Sequence, residues 1–103
     1  MRVLALMTWR GDLQPQPAAA AMAKRASWSY PPGATVAEEY WTLGNDRSIP
    51  VVVCVYEDIS TEAMLQLTLD WGEYFDVRFA PAMTATEGLA AGERIMQRVG
   101  ISA

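Results

Sequence analysis

The chain contains no histidine. That removes the commonest general base, the commonest metal ligand and the usual axial ligand of haem. It also rules out any Ser-His-Asp or Cys-His nucleophilic site. No metal and no cofactor are therefore expected. The single thiol, Cys54, is set among Val51, Val52, Val53 and Val55, where a cysteine behaves as a small inert hydrophobe. No phosphate-binding glycine loop, CxxC or HExxH spacing occurs. Gly88 and Gly92 share the spacing of a membrane-helix contact, but in a soluble helix it reflects close packing or tolerated weakness instead.

Carboxylates and aromatic rings remain. Glu38-Glu39 and Glu57-Asp58 are the acidic pairs, and Asp46 is explained by turn chemistry beside Asn45. Adjacent strand residues point to opposite faces, so only one of Glu38 and Glu39 can face inward. That one would have its pKa raised by burial and could take a proton. The ordinary alternative is one solvated carboxylate and one paired with Arg78 or Arg47. Glu57-Asp58 precedes a helix, whose N-terminus favours negative charge.

The aromatic set is Trp9, Trp28, Tyr30, Tyr40, Trp41, Tyr56, Trp71 and Tyr74. Core and dimer packing is the ordinary use of such rings. The functional use is a cavity between sheet and helices, lined by Trp9, Tyr40 or Trp41, Tyr56 and Trp71, with Arg10 at its mouth. Such a cavity suits a small planar or acidic organic ligand.

The elements that must position these residues are arranged around the run Ile49 to Glu57, a strand apolar on both faces. Met1 to Trp9 is a first strand of the same kind. Pro15 and Pro17 lead into a helix from about Ala18 to Trp28, with Ala19, Met22, Ala23 and Ala26 on one face and Lys24 elsewhere. Pro31-Pro32-Gly33 stops it. Ala34 to Leu43 reads as a strand joined through the loop Gly44 to Ser48 to the organising strand. Ser60 is a helix N-cap, and Gly72 follows that helix as its C′ residue. Tyr74 to Pro81 alternates, with Phe75, Val77 and Phe79 on one face. Thr84 to Glu87 is a capping box for a third helix that Gly100 closes. The order is β-α-β-β-α-β plus a terminal helix, a single ferredoxin-like α+β domain over 1–103.

Such a sheet hides one face only. Val51, Val53 and Val55 point to one side and Val52, Cys54 and Tyr56 to the other, so one set needs further cover. Burying a valine-sized side chain is worth roughly 1.5–3 kcal/mol. The second helix agrees: Glu62, Gln66 and Asp70 form a narrow polar stripe, and Ala63, Met64, Leu65, Leu67, Leu69 and Trp71 fill the rest. Two covers are open, a second copy packed sheet to sheet as a homodimer, or the terminal helix.

The strand ending in Trp9, the segment Glu39-Tyr40-Trp41, the helix end Leu69-Asp70-Trp71 and the strand end Ala80-Pro81-Ala82-Met83 resemble the domain of unknown function 3303. That family is similar to dimeric α/β-barrel proteins, whose broader group includes cofactor-independent monooxygenases, and the resemblance implies a homodimer without assigning a catalytic residue. Three functions follow: a ligand-binding homodimer; a cofactor-independent oxygenase on an aromatic substrate, with Glu38 or Glu39 taking a proton; or an interaction module. The net charge of −4 and the scattered arginines show no basic stripe, which argues against nucleic acid and against an anionic membrane surface. With no apolar run of membrane length and one cysteine, a cytoplasmic location is expected.

Overall fold

The computed structural model describes residues 1–100; the last three residues of the expected domain lie outside that range. The elements are β1 (Val3–Trp9), α1 (Ala18–Ser27), β2 (Ala34–Trp41), β3 (Val52–Ile59), α2 (Thr61–Trp71), β4 (Phe75–Pro81) and α3 (Ala85–Arg98). This is the ferredoxin-like α+β order with an added C-terminal helix. All strand pairs are antiparallel, in the order β2-β3-β1-β4. The two strands that are apolar on both faces are therefore the central pair.

The register sorts their side chains. Val3, Ala5 and Met7 stand opposite Tyr56, Cys54 and Val52. Most of these pack into the core beneath Ala21 of α1 and Ala63, Leu67 and Trp71 of α2. Leu4 and Leu6, opposite Val55 and Val53, point to the other face and stay half-buried.

The organising strand lies further along than the valine run suggests. The Thr42 amide donates to the Val51 carbonyl (3.0 Å) and its hydroxyl to the Pro50 carbonyl (2.8 Å), so Ile49 to Val51 close the loop. At its far end β3 continues to Ile59, which makes Glu57 and Asp58 strand residues. Glu57 pairs with Arg2 (2.9 Å) rather than facing the start of α2.

Both expected caps form: Ser60 accepts from the Ala63 amide, and Thr84 from the Glu87 amide. Gly72 ends α2 in the right-handed region (φ −64°, ψ −17°), so it is not a left-handed C′ glycine. Leu65 and Leu69 remain exposed, so part of the wide apolar arc of α2 has no cover. No residue of α3 is buried, and Leu89, Ile95 and Met96 are exposed. The terminal helix thus projects from a molecule 54 Å long and 19 Å thin and does not roof the open sheet face. Arg2, bridging Glu57 and Glu87, tethers its first turn. Among the described residues no helix is long and apolar enough to cross a membrane.

One backbone position joins the two halves of the fold. Gly33 adopts φ +88°, and a Cβ placed there would lie 2.6 Å from the Ser60 hydroxyl oxygen. The Ser60 amide donates to the Gly33 carbonyl (3.0 Å). The glycine therefore lets the chain entering β2 press against the cap of α2. Gly33→Ala is expected to lower the unfolding free energy by about 1–3 kcal/mol, read from urea denaturation.

Candidate ligand-binding site

The helix side of the sheet does not close completely against α1. A cavity of about 190 Å³ remains between them. Its floor is Met7, Cys54, Tyr56 and Phe75, all buried, and the exposed Met22, Trp41 and Leu43 mark its mouth. The helix wall is thin because α1 presents alanines at Ala18 and Ala21 where larger side chains would fill the space. Residues 18, 21, 22, 25 and 28 face the void at helical spacing. This is not the face read from Ala19, Ala23 and Ala26, all of which are exposed. Lys24 turns inward, donating to Glu73 (2.6 Å) and to the Asp70 carbonyl and lying over the Trp71 ring (5.1 Å).

All four tryptophans of the chain line this one cavity. The rings form an unbroken arc. Tyr56 meets Tyr30 edge-on (6.0 Å), Tyr30 meets Trp28 (4.9 Å), and Trp28 meets Trp71 (5.5 Å). Trp71 then leads to Phe75 (6.0 Å) and Phe75 to Trp9 (4.6 Å). Such pairs add roughly 0.5–1.5 kcal/mol each beyond the area they bury. Trp28 is fixed further by its indole N–H, which donates to Asp70 (2.9 Å).

Of the residues expected at a site, Trp9, Trp41, Tyr56 and Trp71 come together here. Tyr40 and Arg10 do not line the cavity. Tyr40 stands opposite Val53 on the far face of the sheet, and Arg10 turns to Asp12 (2.6 Å) and the Gly72 carbonyl (3.3 Å). The local cause for Tyr40 is a break in the register of β2. Ala34 and Val36 point toward the helices, the pairing shifts on either side of Val36, and beyond it Glu39 and Trp41 point that way instead. Such bulges re-aim side chains.

Glu39 is thus the inward carboxylate and Glu38 the outward one. The partner of Glu39 is neither Arg78 nor Arg47 but Arg25, whose Nε and Nη2 donate to it at 3.0–3.2 Å. Trp41 Nε1 donates to it at 2.7 Å, and the Tyr30 hydroxyl donates as well. Burial alone would raise this carboxyl, but the donors from Arg25, Tyr30 and Trp41 outweigh it and hold the pKa below the ordinary value. The expected raised pKa is therefore reversed. Arg25, Trp28 and Tyr30 line the cavity beyond the residues the sequence points to; the 18-21-22-25-28 spacing carries a signal for Arg25 and Trp28, and none marks Tyr30.

Residues 3–96 match the family described as a domain of unknown function, DUF3303. The chain belongs to that family. The match runs from β1 into α3 and takes in every element that builds the cavity of this DUF3303 domain. No curated protein and no solved structure matches the chain.

One polar atom of the DUF3303 cavity floor is unsatisfied. Tyr56 is fully buried, and among the described residues its hydroxyl has no hydrogen-bond partner. Leaving such a group unpaired costs about 1–3 kcal/mol. Burial pushes the Tyr56 phenol and the neighbouring Cys54 thiol above their ordinary values, so both are neutral at pH 7. No cluster of three or more metal-ligating side chains occurs among the described residues.

The Glu39 carboxyl, depressed in the folded state, contributes stability above the ordinary glutamate value near ~4.3. That contribution is lost as pH falls through the lower folded value. Arg25→Met is expected to destabilise the domain by about 1–3 kcal/mol at pH 7. The gap from wild type should narrow in acid, where Glu39 is protonated in both proteins, as followed by urea denaturation across pH 2.5–7 in about half-unit steps.

Proposed function

We propose that this DUF3303 domain binds a small, flat, largely apolar organic molecule in the tryptophan-lined cavity, and that it does so as a homodimer. The observation that carries the ligand is the convergence of every tryptophan on one void of about 190 Å³. Close-packed interiors leave few gaps larger than a water molecule. An apolar cavity of roughly 150 Å³ accepts benzene, so this one suits one ring, or two with the second toward the mouth. Rings gathered around an interior space also favour ligand binding over an interaction module, whose aromatics would face outward.

The proton-abstracting oxygenase is the weaker alternative. A base needs a free lone pair near the substrate. Glu39 already accepts from Arg25, Tyr30 and Trp41, and Glu38 pairs with Val55 on the opposite face of the sheet.

The homodimer is supported by what one copy leaves open. Leu4, Leu6, Val53 and Val55 belong neither to the buried core nor to the side chains packed on it. A 14-residue helix with no buried residue draws little from tertiary packing, and isolated helices of that length are marginal in water. A second sheet laid on the first would shelter those aliphatic residues and give the exposed Leu89 and Met96 of α3 a surface to lie against.

Tryptophan emission should shift on titration with one- and two-ring aromatics. Ala21→Leu, which fills the cavity from α1, should abolish that response while changing the melting temperature by only a few degrees. No response in wild type to any member of a broad aromatic panel would remove the ligand. Analytical ultracentrifugation should show a dimer that Val53→Glu converts to a monomer. A wild-type monomer at all concentrations would remove the second copy.

A further inference from the structure

We propose that the ligand of this cavity carries an uncharged oxygen, a phenol or a carbonyl, that hydrogen-bonds the Tyr56 hydroxyl. The inference rests on the cavity being a ligand site and narrows which molecules it takes. Tyr56 is 0% exposed, lines the cavity, and has a hydroxyl with no hydrogen-bond partner among the described residues. A phenylalanine would place the same ring against Tyr30 and in the same register opposite Val3 without the burden of an unmatched polar atom. Beside it the floor offers only the Cys54 thiol, which is near enough to raise the Tyr56 phenol but makes no well-formed hydrogen bond with it; a thiol is a weak partner, and this one also stands 3.7 Å from the Tyr30 hydroxyl. The hydroxyl is closed off from the empty cavity, so the oxygen that completes Tyr56 comes from a ligand whose entry shifts a neighbouring side chain of the floor.

The charges around the cavity decide that this oxygen is neutral. Arg25 and Glu39 are the charged residues lining it. Arg25 is committed to Glu39 through Nε and Nη2 and to the Trp28 carbonyl through Nη1, so no free cation awaits a carboxylate. An acid entering this space would be a buried anion near Glu39 with nothing to pair it. An ammonium is equally unsupported, because Glu39 is already satisfied by its donors. The expectation of an acidic ligand is thereby replaced by that of an oxygenated, uncharged aromatic.

A nearly isosteric series tests this: p-xylene, p-cresol and 4-methylbenzoate, titrated by calorimetry at about pH 7 into wild type and Tyr56→Phe. Wild type should bind p-cresol about three- to tenfold more tightly than p-xylene, the range of one neutral hydrogen bond. It should not bind 4-methylbenzoate measurably. In Tyr56→Phe the preference for p-cresol should vanish while p-xylene binding is retained. The unliganded variant should melt no lower than wild type, since it loses an unpaired group. An unchanged p-cresol preference in the variant, or 4-methylbenzoate binding as well as p-cresol, overturns the inference while leaving the cavity a ligand site. A variant that melts lower shows an internal partner for the hydroxyl and overturns it too. Failure of all three compounds to bind wild type overturns the ligand site itself, and this inference with it.

Discussion

The cavity stays open because α1 is held to the sheet by charge rather than by grease. Ala21 is the only buried residue of that helix, so hydrophobic contact alone gives it little purchase. Its attachments are polar: Arg25 to Glu39 on β2, Lys24 to Glu73 beyond α2, and Trp28 to Asp70. A leucine-rich helix would settle onto the strands and close the gap. Small side chains with long charged arms on either side keep the helix at a distance, and the space beneath is what the tryptophans surround. Half-buried charges tolerate this only when matched, which is why Glu39 collects donors from a helix, a loop and its own strand.

The same arrangement sets the chemistry. Groups that could move protons near the void are either committed, as Glu39 is, or neutral, as Tyr30, Tyr56 and Cys54 are because burial raises their pKa values. What is left to the cavity is its shape and one hydroxyl. The floor comes from buried residues of β1, β3 and the start of β4 and the far wall from the buried end of α2, whereas the mouth is made by exposed residues of α1, the edge strand β2 and the loop after it. The mouth thus lies at the side of the domain least constrained by packing.

The layout of the sheet was legible because central strands must be apolar on both faces, and β1 and β3 were the two that were. The caps at Ser60 and Thr84 were legible because a hydroxyl beside a helix start has one local use. The contents of the cavity were only half legible. Strict alternation leaves two choices on β2, Glu38 with Tyr40 or Glu39 with Trp41, and they are one binary choice made by strand parity. Carrying parity forward from Ala34 and Val36 selects the wrong pair, because the irregularity around Val36 reverses it. Likewise an alanine-rich helix has no marked apolar face, so its rotation was set by Lys24 and Arg25 finding partners far along the chain. Arg10 went astray for the opposite reason: Asp12, two residues on, was a nearer partner than any ligand.

Gathering every tryptophan at one place also fixes what can be seen of this molecule by light. The α3 segment, Ala85–Arg98, contains no aromatic residue, so its loosening is silent in indole emission. A fluorescence melt therefore follows the sheet and its two packed helices alone. The terminal helix must be watched separately, through backbone dichroism or amide exchange, and the two curves need not coincide.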